Sequence, residues 1–294
     1  MSIEGLKLIG ERINPGFKSS KELLDAKDLP GLQALAADQV AKGGCDYLTV
    51  NVGEAATREP QFLVDLIRAI QDVVDLPLAF DYPARKVQEL CLDTYDASKA
   101  GGRKPVMNSV TELRWDMLDI RDRQPFKVVL MASERLEDGR GVANRSPDEV
   151  HQTARRMVDK LLSGDHGLTA DDLFIDVSLG PVSADLEGLT RRAVDSLALL
   201  GADADLAGVH KLVGLSNISI STPPRALDGG LLKVRLESAF LTLTVPHGLD
   251  YILGTPGRDY QMLPDDDYVM TGFREAIALD GFDTLLRIQA LYQE

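Results

Sequence analysis

Cysteine, histidine, tryptophan and long apolar runs are all scarce in this chain, and each scarcity removes a class of protein. Its 294 residues include two cysteines, Cys45 and Cys91, so no disulfide framework is expected and a cytoplasmic address is the default. The four histidines, His151, His166, His210 and His247, follow no metal-ligand spacing. They are expected on helices and loops rather than at strand ends, which disfavours a zinc or di-metal hydrolase, and no metal is expected. Trp115 is the single tryptophan, too few for the stacking surfaces of a glycosidase. No apolar stretch approaches the ~20 residues that span a bilayer. The opening MSIEGLKLIGER lacks the charged and apolar regions of a signal peptide. Positive charge is also short: 32 Lys and Arg against 46 Asp and Glu give a net charge of −14, which argues against nucleic acid or an anionic membrane as a partner. No G-x-S-x-G elbow, P-loop or post-strand G-x-G-x-x-G is found.

What the chain does have is alternation. Eight strand-like segments are expected at 6–11, 46–52, 77–80, 105–109, 127–133, 173–178, 211–217 and 250–255, most of them the near-continuous apolar runs of strands buried on both faces. Helix-like segments lie between them. Residues 31–43 put Leu32, Leu35, Ala36 and Val40 on one face, and residues 60–74 do the same with Phe62, Leu63, Leu66, Ile67 and Ile70. Ser146-Pro147-Asp148-Glu149 reads as a helix start, with a capping hydroxyl, a first-turn proline and acids near the positive end of the dipole. Segments 95–104, 134–147 and 256–267 read as loops. Repeated βα units, with no linker or short-period repeat, predict an α/β fold, a single (β/α)8 barrel over residues 1–294.

Four polar residues close apolar strands: Asp81, Asn108, Asp176 and Asn217. On a parallel barrel such positions converge on the C-terminal mouth, where that fold keeps its active site. A carboxylate there must be paired or solvated, so Asp81 reads either as a ligand acceptor or as the partner of Arg85 or Lys104. Two carboxylates beside an amide suit a ligand with several N–H donors. Asn51 offers either an amide to the ligand or a backbone tie at its strand end. Glu11 and Arg12 place opposite charges at the rim, where an ion pair closing the barrel is as natural as a ligand contact. Loops seven and eight of this fold often hold phosphate, which makes Arg225 and Arg258 candidates for an anionic group.

Taken in order, Gly-Glu-Arg-Ile-Asn (10–14), Asn-Val-Gly (51–53), Asp81, Met-Asn-Ser (107–109), Ile-Asp (175–176), Gly-Leu-Ser-Asn-Ile-Ser (214–219) and Gly-Leu-Asp (248–250) resemble the pterin-binding methyltransferases. These include methyltetrahydrofolate:corrinoid protein methyltransferase and the folate domain of cobalamin-dependent methionine synthase. The resemblance implies that Asp81, Asn108 and Asp176 hold a tetrahydropterin such as tetrahydrofolate, with Asn51 and Ser219 as further binding residues. It implies Asn217 as the catalytic residue near N5, and Arg225 as a contact for an anion or the corrinoid. It further implies a corrinoid (cobalamin) carried by a partner protein, since no D-x-H-x-x-G segment is found, and a homodimer. Thr49 stands where the family often carries an acid. The alternatives are a non-catalytic pterin-binding subunit and a dihydropteroate-synthase-like enzyme, although the Ser-Arg-Lys type motif of the latter is missing.

Overall fold

The computed structural model describes residues 3–164 and 166–293. Among these described residues ten strands run in chain order as β1 (Lys7–Ile13), β2 (Cys45–Val50), β3 (Leu78–Asp81), β4 (Val106–Val110), β5 (Lys127–Met131), β6 (Glu134–Glu137), β7 (Arg140–Ala143), β8 (Leu173–Asp176), β9 (His210–Gly214) and β10 (Tyr251–Gly254). Eight of them close a parallel barrel in the order β1-β10-β9-β8-β5-β4-β3-β2, while β6 and β7 pair antiparallel. All eight strands expected from the sequence are present, so the (β/α)8 expectation holds. Ten α-helices accompany them among the described residues: α1 (Lys18–Asp25), α2 (Leu29–Ala41), α3 (Ala55–Arg58), α4 (Pro60–Gln71), α5 (Arg85–Thr94), α6 (Pro147–Ser163), α7 (Leu189–Ala202), α8 (Leu232–Thr244), α9 (Tyr268–Ile277) and α10 (Phe282–Gln289). Between β4 and β5 the alternation lapses into a 3-10 stretch, Trp115–Asp122. Among the described residues no helix is long and apolar enough to cross a membrane.

The barrel interior is filled by one inward residue per strand: Ile9, Tyr47, Ala79, Val106, Val129, Phe174, Leu212 and Tyr251, which form their own buried cluster. Because side chains alternate faces along a strand, the residue two further on points inward again, one layer nearer the mouth. That period of two converts the apolar floor into the wall of the site described below. The intervening strand residues, such as Leu48, Phe80, Met107, Val128, Ile175 and Ile252, face outward onto the helices, which explains why most strands read as unbroken apolar runs.

Segment 134–147, expected as a loop, contains the β6–β7 hairpin. Its turn is Asp138-Gly139, with φ of 48° and 77°, the left-handed pair that a two-residue hairpin turn demands. The turn dipeptide was visible, but Glu134–Glu137 and Arg140–Ala143 lack the apolar alternation that marks a packed strand. His210, expected on a helix or loop, opens β9. It sits at the barrel end opposite the mouth, with Nδ1 2.6 Å from Asp250 Oδ2 and Nε2 3.2 Å from Asp171 Oδ1.

The helix start at Ser146 is as expected. Its side chain accepts from Glu149 N at 3.2 Å and the Glu149 carboxylate accepts from Ser146 N at 3.0 Å, a reciprocal capping box. Ser146→Ala is expected to cost about 1 kcal/mol of stability, read as a lower denaturant midpoint with unchanged slope. An unshifted midpoint would show that the cap contributes nothing.

Candidate functional site

Counting two residues past the floor gives Glu11, Thr49, Asp81, Asn108, Met131, Asp176, Gly214 and Leu253, and all eight line one cavity of about 290 Å³ at the mouth. Asn14, Ser109, Ser178, Leu179 and Asn217 complete it. Every barrel strand thus contributes at least one residue, and β4 contributes two, Asn108 and Ser109. Register sets neighbours within the layer, with Asp81 opposite Asn108 on β3 and β4.

Among the described residues neither Asp81 nor Asp176 is paired with a cation. Asp81 Oδ2 accepts from Asn51 Nδ2 at 3.0 Å. The cations considered for Asp81 are engaged elsewhere: Arg85 with Glu89 and Asp119, and Lys104 with Asp172 at 2.6 Å. Asp176 Oδ1 accepts from Ser178 N at 2.7 Å. Burial pushes Asp176 from the usual 3.8 up to about 6, with the nearby Asp81 charge adding to the rise while the Ser178 N–H opposes it. Burial raises Asp81 likewise, against the Asn51 hydrogen bond. Each carboxylate keeps a second oxygen with no hydrogen bond among the described residues. Such groups are costly to leave unsatisfied and favourable to pair with N–H donors from a ligand.

The amides are arranged differently. Asn108 and Asn217 line the cavity, and no side-chain hydrogen bond ties either amide among the described residues. Asn217 stands on the 3-10 turn Leu215–Ser219. A Cβ at Gly214 would lie 2.9 Å from Asn217 Nδ2, so glycine there makes room for the amide. Thr49 Oγ1 is buried in the cavity wall with no hydrogen-bond partner among the described residues, a further group able to hydrogen-bond a ligand.

Other expected site residues lie elsewhere. Asn51 lines neither mouth cavity. Both ends of its amide are used, Nδ2 on Asp81 and Oδ1 accepting from Gly53 N at 2.8 Å, so it orients the Asp81 carboxylate. Ser219 lines a second, adjoining cavity, where its hydroxyl donates to Glu237 Oε1 at 2.6 Å. Arg225 lines neither cavity. Its guanidinium donates to Gly229 O within its own turn at 2.6 Å. Arg258 reaches the second cavity but is paired with the fully buried Glu237. Glu11 forms no ion pair with Arg12. It accepts from the hydroxyls of Ser216 at 2.8 Å and Thr255 at 2.9 Å, while Arg12 lies 4.7 Å over the Phe17 ring. Burial raises the Glu11 pKa despite those two hydrogen bonds.

A closed parallel barrel with unpaired carboxylates and free amides at its C-terminal mouth has the construction of an enzyme site for a small polar ligand. The chain belongs to the pterin binding enzyme family, whose pattern it matches over residues 18–253. It is 25% identical over 261 residues to a methylcorrinoid:tetrahydrofolate methyltransferase of Eubacterium limosum, covering 85% of this chain and 84% of that one. Among solved structures, its fold is similar to dihydropteroate synthase of Xanthomonas albilineans in complex with 7,8-dihydropteroate, with TM-score 0.57, 22% identity and 95% and 96% of the two chains covered. Thermus thermophilus dihydropteroate synthase in complex with 6HMPPP gives TM-score 0.54, 20% identity, and 93% and 92% covered.

Proposed function

We propose that this protein is a methyltransferase, moving a methyl group between N5 of tetrahydrofolate, or a related tetrahydropterin, and the cobalt of a corrinoid carried by a separate protein. Asp81 and Asp176 accept hydrogen bonds from the amino and ring N–H groups of the pterin, and Asn108 serves the edge where donor and acceptor alternate. Asn217 donates to N5. When the N5–methyl bond breaks, the methyl passes to the cobalt without the bonding pair, the pair stays on N5 and is matched by a proton taken from solvent, and the hydrogen bond from Asn217 strengthens as that density builds.

The observation that carries this reading is the neutral Asn217 amide, without a side-chain hydrogen bond among the described residues, in the cavity that also holds the two unpaired carboxylates. The methyltransferase relative, aligned over most of both chains, supports the same chemistry. Expulsion of a diphosphate, as in dihydropteroate synthesis, calls for several available cations. Of the described residues lining the two cavities, Arg258 is neutralised by Glu237, and Lys233 alone is a cation without a partner.

The test mixes the protein with tetrahydrofolate and methylcobalamin, or a methylated corrinoid protein, and follows the corrinoid's visible spectrum. Demethylation that depends on both protein and pterin is the expected result. Pterin binding without any spectral change, in either direction and with a functional corrinoid partner, would leave a non-catalytic binding subunit and overturn the proposal.

A further inference from the structure

With no side-chain hydrogen bond of its own among the described residues, Asn217 takes its position from the 3-10 turn Leu215–Ser219 that carries it. That turn is tied down at a serine on either side of Asn217. Ser216 Oγ donates to Glu11 Oε2 on β1 at 2.8 Å, and Ser219 Oγ donates to Glu237 Oε1 on α8 at 2.6 Å. Glu237 is fully buried, and the same Oε1 is the partner of Arg258 in the segment after β10. That segment is fastened to α8 further on, where Gln261 N donates to Ser238 Oγ at 3.2 Å and Leu263 N to Thr242 Oγ1 at 2.8 Å. Burying an ion pair costs more in lost hydration than an apolar residue in the same place. A glutamate held there by an arginine supplies what packing does not, a fixed charged acceptor for the Ser219 hydroxyl.

Building on the methyl-transfer reading above, we propose that Glu237 is a positioning residue: it acts through Ser219 to hold the turn that presents Asn217, and Arg258 is the cation that balances its buried carboxylate. The Ser219 hydroxyl has one proton, and Glu237 Oε1 at 2.6 Å takes it in preference to Ser216 O at 3.3 Å, which leaves none for a ligand. Glu11 lines both mouth cavities and lies within reach of a ligand, whereas Glu237 lines neither, so its effect on the reaction passes through the side chains it holds. A hydrogen bond that matters only while a bond is breaking is sensitive to placement, and an error of about 1 Å can cost ~100-fold in rate. With the Glu11–Ser216 tie still in place, loss of the Glu237–Ser219 tie shifts the amide by less than that.

Single-turnover methyl transfer between tetrahydrofolate and a corrinoid, with tetrahydrofolate affinity measured separately, tests this. Ser219→Ala removes the hydroxyl and leaves the Glu237–Arg258 pair in place. It should slow transfer by about tenfold and change affinity by less than about twofold. In an Asn217→Ala background the same change should slow transfer by less than about twofold, because the group it positions is gone. Replacing the acid and the arginine together tests Glu237 without stranding a buried charge. Glu237→Gln with Arg258→Gln keeps an amide oxygen for Ser219 and should stay within about threefold of the wild-type rate, whereas Glu237→Met with Arg258→Met should be slowed as much as Ser219→Ala, about tenfold. Equal losses with and without the Asn217 amide, or equal rates in the Gln and Met pairs, would overturn the positioning role while leaving methyl transfer standing. Weaker tetrahydrofolate binding at an unchanged rate in Ser219→Ala would overturn it too, and make Ser219 a ligand contact. Wild-type protein that binds tetrahydrofolate yet transfers no methyl group would overturn the methyl-transfer reading, and the positioning role with it.

Discussion

Asn217→Ala is expected to slow methyl transfer by about 10²–10³-fold while changing tetrahydrofolate affinity by less than about threefold. The asymmetry follows from what Asn217 offers. Its amide lines the cavity beside the two carboxylates, but it is neutral and exposed, so a ground-state hydrogen bond to a weakly basic ring nitrogen contributes little over the water it replaces. Once the bond to methyl lengthens and the electron pair localises on that nitrogen, the same N–H donates to an atom gaining negative character. Rapid-mixing spectroscopy of the corrinoid gives the rate, and ligand titration gives the affinity. Loss of affinity with an unchanged rate would assign Asn217 to binding alone. Because a Cβ at position 214 would crowd Nδ2, Gly214→Ala should reproduce part of the rate defect by displacing the amide.

The sequence made the barrel legible because eight apolar runs alternate with amphipathic helices, and a strand buried on both faces needs no subtler pattern. The same feature hid part of the site. In an unbroken apolar strand both faces look alike, so nothing local marks Met131 or Leu253 as cavity wall rather than core. Asp81, Asn108 and Asp176 stood out because a polar residue ends each run and fixes which face is inward. Asn51 continues the phase of β2, two beyond Thr49 and just past the strand's end, yet stands one layer too high and ties down Asp81 instead. Thr49 supplies its strand's wall position. Arg225 was suggested by the general habits of loops seven and eight, whereas its fate depended on a turn that closes on Gly229. Lys233 could not be distinguished from other helical lysines, because its significance lies in the partners it lacks. A useful rule for such barrels is to locate one inward polar residue per strand where possible and propagate the phase through the parallel register.

Asp176→Asn is expected to make the protein more stable and its pterin binding weaker, opposite signs from one substitution. Asp176 titrates near 3.8 when exposed and near 6 in the fold, chiefly because it is buried and because Asp81 lies close. Between those values the folded state holds a proton that the unfolded state has released, so stability falls as pH climbs from about 4 to about 6 and stays lowered above that. The full penalty is about 2–3 kcal/mol, which the amide removes while its oxygen still accepts from Ser178 N. Denaturation at pH 8 should therefore show Asp176→Asn more stable than wild type, with the gain vanishing toward pH 4. Affinity moves the other way: the charged oxygen facing the ligand's N–H donors is replaced by a neutral amide, costing roughly 10- to 100-fold. Wild-type affinity should also decline as pH drops below about 6, where Asp176 takes up its proton, and the variant should lack that component. Taking the ratio of variant to wild-type affinity at each pH cancels the titration of the pterin itself. Loss of both stability and affinity in Asp176→Asn would mark the carboxylate as a structural group. The predicted exchange of stability for affinity is the behaviour of a charge kept buried for a ligand that supplies the missing donors.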